Sequence, residues 1–318
     1  MRSYSGTADH LRYADLLMRS INNAWCATSL FWFNAMDGRG PSPLKRSLHE
    51  HLELMQWHAE REIPVEGNEP YHWGMRDAPD VVVCAVSAIY ARVVKAMGVR
   101  DYITTYMFES PPHLTNRMDL AKCLAQIELA ESLADQDFRI WRQTRTGLLS
   151  YPIDPAAARA HLAQSIMLQM AVEPHIVHVV GYTEADHAAT ADEVIESSHM
   201  ARHVIDIAMR GEPDMRADPL VEERKGELLA ETQVLLDAIR SLGSELPDPL
   251  LDVDVLARAV AIGLLDAPQL VNNPFARGAI RTRSLEGAIR TVDRVGNPIP
   301  EQQRVRACLH AARGALSS

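Results

Sequence analysis

The sequence predicts an α/β protein built as a (β/α)8 TIM-type barrel, and three observations predict it. Five short apolar stretches, centred near Ser29, Val65, Ile103, Ile140 and Val177, recur at intervals of 36, 38, 37 and 37 residues. The gaps between them carry apolar residues at three-and-four spacing, the pattern of a helix that buries one face. Strand and helix therefore alternate, as parallel βαβ units require. Each stretch also runs out into polar and aromatic residues, and in a barrel the loops after the strands build the site.

Taken in order, Tyr13, Leu16, Leu17 and Ile21 mark a first helix face, and Leu48, Leu52, Met55 and Ala59 a second. Val82, Val86, Ile89, Val93 and Met97 mark a third, with Gly98 placed to stop it. Leu120, Leu124 and Ile127 mark a fourth. Val194, Ala201, Val204, Ile205 and Ala208 mark a fifth, which Gly211-Glu212-Pro213 ends. Strands are expected over 27–33, 63–68, 102–107, 138–143 and 175–181, with a further strand ending at Met1-Arg2. That makes about six strands against the eight of a closed barrel. The expectation is a barrel incomplete at its N-terminus, completed by roughly two and a half βα units before Met1 or by another chain. From Ala217 the pattern is helical through Leu228, Leu235, Ile239 and Leu242, then proline-rich at Leu246-Pro247-Asp248-Pro249. A helix over Val255 to Leu264 and a short hairpin near Ile280 and Ile289 follow. The division is thus a partial barrel over 1–215 and a C-terminal helical, α+β extension over 216–318.

Composition bounds the function. With 318 residues, 47% of them apolar, the chain can bury a large core. A formal charge of −10 with scattered basic residues argues against a nucleic-acid binder. Cys26, Cys84, Cys123 and Cys308 have no C-x-x-C spacing, so reduced thiols are expected rather than a disulfide framework or cysteine zinc site. No signal peptide or bilayer-length apolar run is present in the sequence, and a cytoplasmic protein without a membrane role is expected.

The chemistry-bearing strand exits are Phe33-Asn34, Glu66 to His72, Tyr106 to Glu109, Arg142-Gln143 with Arg145, and Tyr182 to His187. Arg2, Arg142 and Arg145 are candidate carboxylate binders, since a planar guanidinium suits a bidentate acid. Glu66, Glu69 and Glu184 are candidate bases or ribose-hydroxyl ligands. Glu66 and Glu69 differ by an odd number and would face opposite ways along an extended segment, so one of them is expected to be structural. Glu69-Pro70-Tyr71-His72-Trp73 has the composition of an edge for a flat ligand. Among the 13 histidines only His199 and His203 have the i, i+4 geometry of helical metal ligands, and no third ligand accompanies them. No metal site is predicted, and P-loop, G-x-G-x-x-G and G-x-S-x-G motifs are missing from the sequence.

These exits resemble the barrel-forming E subunit of adenosylcobalamin-dependent glutamate mutase, or methylaspartate mutase, from Arg2 almost to the C-terminus. Arg2 with Gly6-Thr7 resembles that family's A-R-H-G-T segment, and Glu69-Pro70-Tyr71 its R-E-P-F segment. Val179 to Thr190 resembles the segment ending E-A-x-G-I-P-T, and Gly263 to Pro268 the G-V-M-D-I-P run. The resemblance implies a substrate-carboxylate role for Arg2, a place beside the corrin for Tyr71 and an adenosyl-ribose contact for Glu184. It implies an isomerase using a radical mechanism that begins with homolysis of the cobalt-carbon bond. The sequence also departs from the family. The family's base glutamate falls near Thr28 or Ser29, its following tyrosine near Asp37, an arginine at Asn68, a lysine at Val180 and a histidine at Arg142. No D-x-H-x-x-G cobalt-ligand motif occurs in the sequence, so a separate small cobalamin-binding subunit is the expected partner, in a homodimer or heterotetramer. The expected reading is a carbon-skeleton mutase subunit acting on an amino or carboxylic acid, with catalytic candidates Arg2, Arg142, Arg145 and Glu69 and cofactor candidates Tyr71 and Glu184. The alternatives are a non-catalytic half-barrel scaffold and a metal-dependent barrel lyase or aldolase using Glu184, Asp186 and His187.

Overall fold

The computed structural model describes residues 2–3 and 9–315, with the backbone alone at 2–3 and 314–315. Six strands form one sheet: β1 (Arg2–Ser3), β2 (Trp25–Thr28), β3 (Val65–Gly67), β4 (Asp101–Phe108), β5 (Arg139–Thr146) and β6 (Ile176–His178). They stand in chain order and every neighbouring pair is parallel. A parallel sheet wound in sequence by right-handed crossovers puts its helices on one face, the winding of a barrel wall. The helices that connect the strands are α1 (His10–Ser20), α2 (Leu44–Ala59), α3 (Glu69–Gly74), α4 (Asp80–Ala96), α5 (Asn116–Glu131) and α6 (Pro155–Met170), and α7 (Ala191–Ala208) follows β6.

Local sequence explains these elements. Gly98, at φ 81°, ends the α4 segment where glycine was expected to stop it. Asp154 caps α6 by accepting the Ala157 N–H, and Pro155 opens the helix at a position whose N–H has no helical partner anyway. Thr190 and Glu193 form a reciprocal capping box on α7. Gly67 is required by close packing, because a Cβ there would lie 2.6 Å from the Tyr90 ring and 2.8 Å from the Tyr102 hydroxyl.

Side chains alternate across the sheet. On the helix side Val65 and Tyr102 join the α4 core, and Tyr106 and Phe108 pack on Leu120, Ala121 and Cys123 of α5. On the concave side lie Ala27, Glu66, Ile103, Thr105, Met107, Gln143 and Arg145, in register across four strands. Trp25 Nε1 donates to Glu66 Oε2 at 2.6 Å, Thr105 Oγ1 to Glu66 Oε1 at 3.4 Å, and Gln143 Nε2 to Thr105 Oγ1 at 2.9 Å. Glu66, Thr105 and Gln143 are buried, so side chains fill the concavity at this level.

Three strand bounds differ from expectation by three residues or more, among them the run expected over 175–181, which ends after His178. The run expected over 27–33 leaves the sheet after Thr28, because the backbone of Leu30 and Phe31 turns to Glu69. The run expected over 138–143 continues to Thr146. Beyond residue 216, α8 (Pro219–Arg240) packs on α4 and α5, α9 (Val253–Ala261) on α2, and α10 (Glu301–Ala315) on α8. The hairpin expected near Ile280 and Ile289 is β7 (Thr282–Leu285) with β8 (Ala288–Thr291). Leu228, Leu235 and Leu256 share one core cluster with Val82, Val86 and Tyr102. Among the described residues no helix is long and apolar enough to cross a membrane.

Candidate active site at the strand ends

The carboxyl ends of β2 to β6 gather a cluster of polar and aromatic side chains that borders the main core. Glu69, on the first turn of α3, reaches back to the loop after β2. Its Oε2 accepts from Ser29 Oγ at 2.6 Å, Leu30 N at 2.6 Å and Phe31 N at 3.1 Å, and its Oε1 from Trp73 Nε1 at 2.8 Å. Burial raises its pKa, and these four donors oppose the rise. A carboxylate with its acceptor sites filled by its own chain fastens a loop. Its expected catalytic place is therefore corrected to a structural one.

The fastened loop carries Trp32 and Phe33 to the α3 aromatics. Trp32 lies 4.8 Å from Trp73 and 6.4 Å from His72, Phe33 lies 5.4 Å from His72, and Tyr71 lies 4.7 Å from His72, all between ring centroids. Three guanidinium groups cover this cluster: Arg39 over Phe33 at 3.8 Å, Arg76 over Trp32 at 4.0 Å and Arg145 over Tyr71 at 5.7 Å. Asp37 holds the first two, with Arg39 at 2.5 Å and Arg76 at 3.7 Å. Burial, then the charges of Arg39, Arg76 and Arg145, push the His72 imidazole well below its ordinary pKa. His72 is thus neutral, and both its ring nitrogens, like both amide atoms of neighbouring Asn68 and Arg145 Nε, are buried without a hydrogen-bond partner. Unpaired buried polar atoms cost free energy, and Asn68, His72 and Arg145 bring five of them to the strand ends.

Arg145 ends the concave side of β5, paired in register with Met107 and His178. Arg142 does not join it. Three residues back on the same strand, it points to the helix side, where Nε and Nη2 donate to Glu131 at 2.5 and 2.9 Å and Nη1 donates to the Val172 carbonyl at 2.8 Å. Its expected substrate role is corrected for this reason: β5 runs past it, and strand alternation sends it outward. The side chain of Arg2, and all of Gly6-Thr7, lie outside the described residues.

Further along the rim, Glu109 leaves β4 at φ 56°, with its carboxylate 2.8 Å from His161 Nε2 on α6. The Tyr151 ring meets His161 edge-on at 5.0 Å, and its hydroxyl donates to the Val180 carbonyl at 3.2 Å. Burial raises the Tyr151 pKa, Glu109 and Glu184 add to the rise, and Arg145 opposes it, which puts these charges around one phenol. Glu184 is exposed at the β6 exit, with Oε1 accepting the Gly181 N–H at 2.8 Å. Asp186, His187 and Glu193 bond one another at 2.9 and 3.1 Å, which serves the α7 cap, and no group of three metal-ligating side chains exists among the described residues.

The structure therefore brings Tyr71 and Arg145 together, leaves Glu184 on the neighbouring exit and removes Arg142. Arg39, Arg76, Tyr151 and His161 were missed from the sequence. Arg39 and Arg76 lie in loops with no strand frame, and His161 sits two helix turns from an ordinary cap.

A one-sided parallel βα sheet with its polar cluster at the carboxyl strand ends defines an α/β protein of the βα-repeat class, with the site where such folds place their chemistry. The sequence model of the methylaspartate mutase E chain (MutE) family matches residues 45–313, most of the chain. The chain belongs to that family, which makes it the E-type catalytic subunit of a mutase, an isomerase. No individually curated protein matches it.

Proposed function

We propose that this chain is the barrel subunit of an adenosylcobalamin-dependent carbon-skeleton mutase acting on an amino or carboxylic acid. The observation that carries the reading is Arg145: a guanidinium on the concave face, stacked over Tyr71 at the strand ends, with its Nε unpaired. It binds the substrate carboxylate, a role Arg2 shares by resemblance. The residues present fit the cofactor. Asn68 and His72 offer unpaired amide and imidazole atoms, Tyr71 an aromatic face, and Glu184 an exposed carboxylate for a ribose hydroxyl. When bound, that cofactor supplies hydrogen abstraction through homolysis of its cobalt-carbon bond. The chain's own part is to hold the acid, orient it and keep water from the reacting carbons. The 216–318 segment buttresses the outer helices of the sheet, and a small cobalamin-binding subunit caps the strand ends.

The test is equilibrium binding of adenosylcobalamin followed by its visible spectrum, for the chain alone, with a small cobalamin-binding subunit, and for Glu184→Gln with the same subunit. Weak binding alone, tight binding with the partner and weakened binding by Glu184→Gln are expected. Tight binding by the isolated chain, or no effect of partner and substitution, overturns the reading.

A further inference from the structure

We propose that a cavity in the 216–318 segment, between the β7–β8 hairpin and α10, binds a phosphorylated metabolite of about nucleotide size, at a site separate from the strand-end rim.

The cavity encloses about 370 Å³, the scale of a small-molecule site. Ile280, Val292, Ile299 and Ala307 give it an apolar lining, and Arg277, Arg281, Arg294 and Arg304 surround that lining with cations, in a chain whose formal charge is −10. Two aspartates also line it, and both are spent on backbone. Asp266 accepts the Ala267, Gly278, Ala279 and Ile280 N–H groups at 2.9 to 3.2 Å. Asp293 accepts those of Val295, Gly296 and Asn297 at 2.8 to 2.9 Å, and the Asn297 amide at 3.2 Å. These carboxylates shape the loops that carry them.

The arginines divide into one that builds the wall and three that are open. Arg304, 6% exposed, donates to Glu301 at 2.5 and 2.7 Å and to the Gly263 and Leu264 carbonyls at 2.9 and 3.0 Å, which fastens α10 to the turn after α9. Arg277, Arg281 and Arg294 are exposed and form no ion pair among the described residues. The Arg277 stem lies across Gly263, where a Cβ would come within 2.8 Å of its Cδ, and Nη1 donates to the Ile262 carbonyl at 3.2 Å. That single bond leaves most of its five N–H donors unused. Its charge reaches the inner wall, because with Arg304 it opposes the rise that burial causes in the Cys308 pKa.

Thr291 is an independent observation. It lies in the cavity wall on β8, is 7% exposed, and its hydroxyl oxygen has no hydrogen-bond partner. A buried hydroxyl left unpaired costs free energy, so this one stands ready for a ligand oxygen. A phosphate group answers the whole set: its several charged oxygens accept from hydroxyl and guanidinium alike, whereas one carboxylate would leave guanidinium groups unanswered. The apolar lining then takes the organic body of the same molecule.

The site is a neighbour of the rim and shares no side chain with it. The segment 266–282 walls the cavity on one side, while Asn273 Nδ2 donates to the Met36 carbonyl at 2.6 Å, Gln269 Nε2 to Asp77 Oδ2 at 3.1 Å and Thr282 Oγ1 to the Asp77 carbonyl at 2.8 Å. Those loops carry Arg39 and Arg76. None of the rim residues lines the cavity.

The test is calorimetric titration of the full chain with ATP in magnesium-free buffer, against inorganic pyrophosphate and adenosine. Wild type is expected to bind ATP in the micromolar range, pyrophosphate more weakly and adenosine not at all. Arg281→Ala with Arg294→Ala should weaken ATP by about tenfold or more. Thr291→Val should weaken it by about threefold or more while the denaturant midpoint holds or rises, since the substitution removes an unpaired buried oxygen. Arg306→Ala, an equal loss of charge on α10 outside the cavity, and Arg145→Gln, at the rim, should both leave ATP binding unchanged. An equal loss in Arg306→Ala means general charge attraction, and a loss in Arg145→Gln places the anion at the rim; either overturns the proposal. So does the lack of ATP binding by wild type, adenosine or pyrophosphate binding as tightly as ATP, or unchanged affinity in the cavity variants.

Discussion

Arg142 and Arg145 leave the same strand on opposite faces. Arg142 is clamped to Glu131 and the Val172 carbonyl behind the sheet, while Arg145 lies over the Tyr71 ring in front of it. Two residues of one type, three positions apart, thus have different surroundings: one ties α5 and the β6 approach to the sheet, and the other faces the aromatic cluster at the strand ends.

Substituting the two separates these roles. Arg142→Met should lower stability by about 1–2 kcal/mol, the worth of a partly exposed bidentate pair with a backbone bond, and leave acid binding unchanged. Arg145→Met should do the reverse. Urea unfolding and calorimetric binding of glutarate, measured on both variants, check the pair of outcomes.

For Glu69, removal and mimicry should differ. Glu69→Ala strands four donors in a buried place and should cost about 3–5 kcal/mol. Glu69→Gln keeps an acceptor for the Ser29, Leu30 and Phe31 donors but sets its NH2 against Trp73 Nε1, at about 1–2 kcal/mol. Denaturant midpoints rank them, and equal losses would show that Trp73 is the dominant partner.

Much of this was legible in the sequence. The five apolar runs gave the strands near Ala27, Val65, Ile103, Ile140 and Val177, because burial on one face and a turn at each end leave a local imprint. The face of each strand residue was harder to read. β5 has a polar, partly exposed sequence that resembles a strand exit, so Arg142 was set at the exit of a strand expected over 138–143 and Arg145 just beyond it, where the strand in fact continues to Thr146. The concave layer is itself polar, and hydrophobicity alone cannot phase a strand whose two faces both carry arginine. The odd spacing of Glu66 and Glu69 suggested one structural member, but Glu69 begins α3 instead of extending the strand, and both carboxylates are buried on partners of their own chain. The meeting of Glu109 with His161 spans α5 and β5, and no local signal records it.

Acid should weaken the fold through buried neutral histidines. Burial pushes His51, whose Nδ1 donates to the Leu30 carbonyl at 3.0 Å, down to about 4. Its unfolded pKa is near 6.5, so the unfolded chain takes up a proton first as pH falls. The His51 contribution is complete above 6.5 and is lost progressively towards 4, a total of roughly 3 kcal/mol. His10, His58 and His72 are lowered by burial in the same direction, whereas burial raises Glu69 and Asp80 and these act oppositely. The comparison of wild type with His51→Gln isolates one group: between pH 7 and 5 the variant should show a shallower loss of unfolding free energy.

Lys122→Met should cost about 3–5 kcal/mol, because it leaves Asp119, its ion-pair partner, buried and unpaired. Asp119→Asn with Lys122→Met together should recover part of that loss, since a neutral amide still accepts the Glu109 N–H that Asp119 holds. A double-mutant cycle by chemical denaturation measures the recovery, and additive losses would mean that the two side chains do not act as a unit.

The bonded row from Trp25 through Glu66 and Thr105 to Gln143 has one more consequence. A parallel sheet faced with uniform valine or isoleucine can slide by two residues and find nearly the same surface. Here a two-residue slide of β5 along β4 would set Trp141 or Arg145 against Thr105 in place of Gln143 and break the bond that continues to Glu66. The buried polar side chains thus act as alignment pins, and the level of Arg145 at the rim is set by an amide one pleat below it.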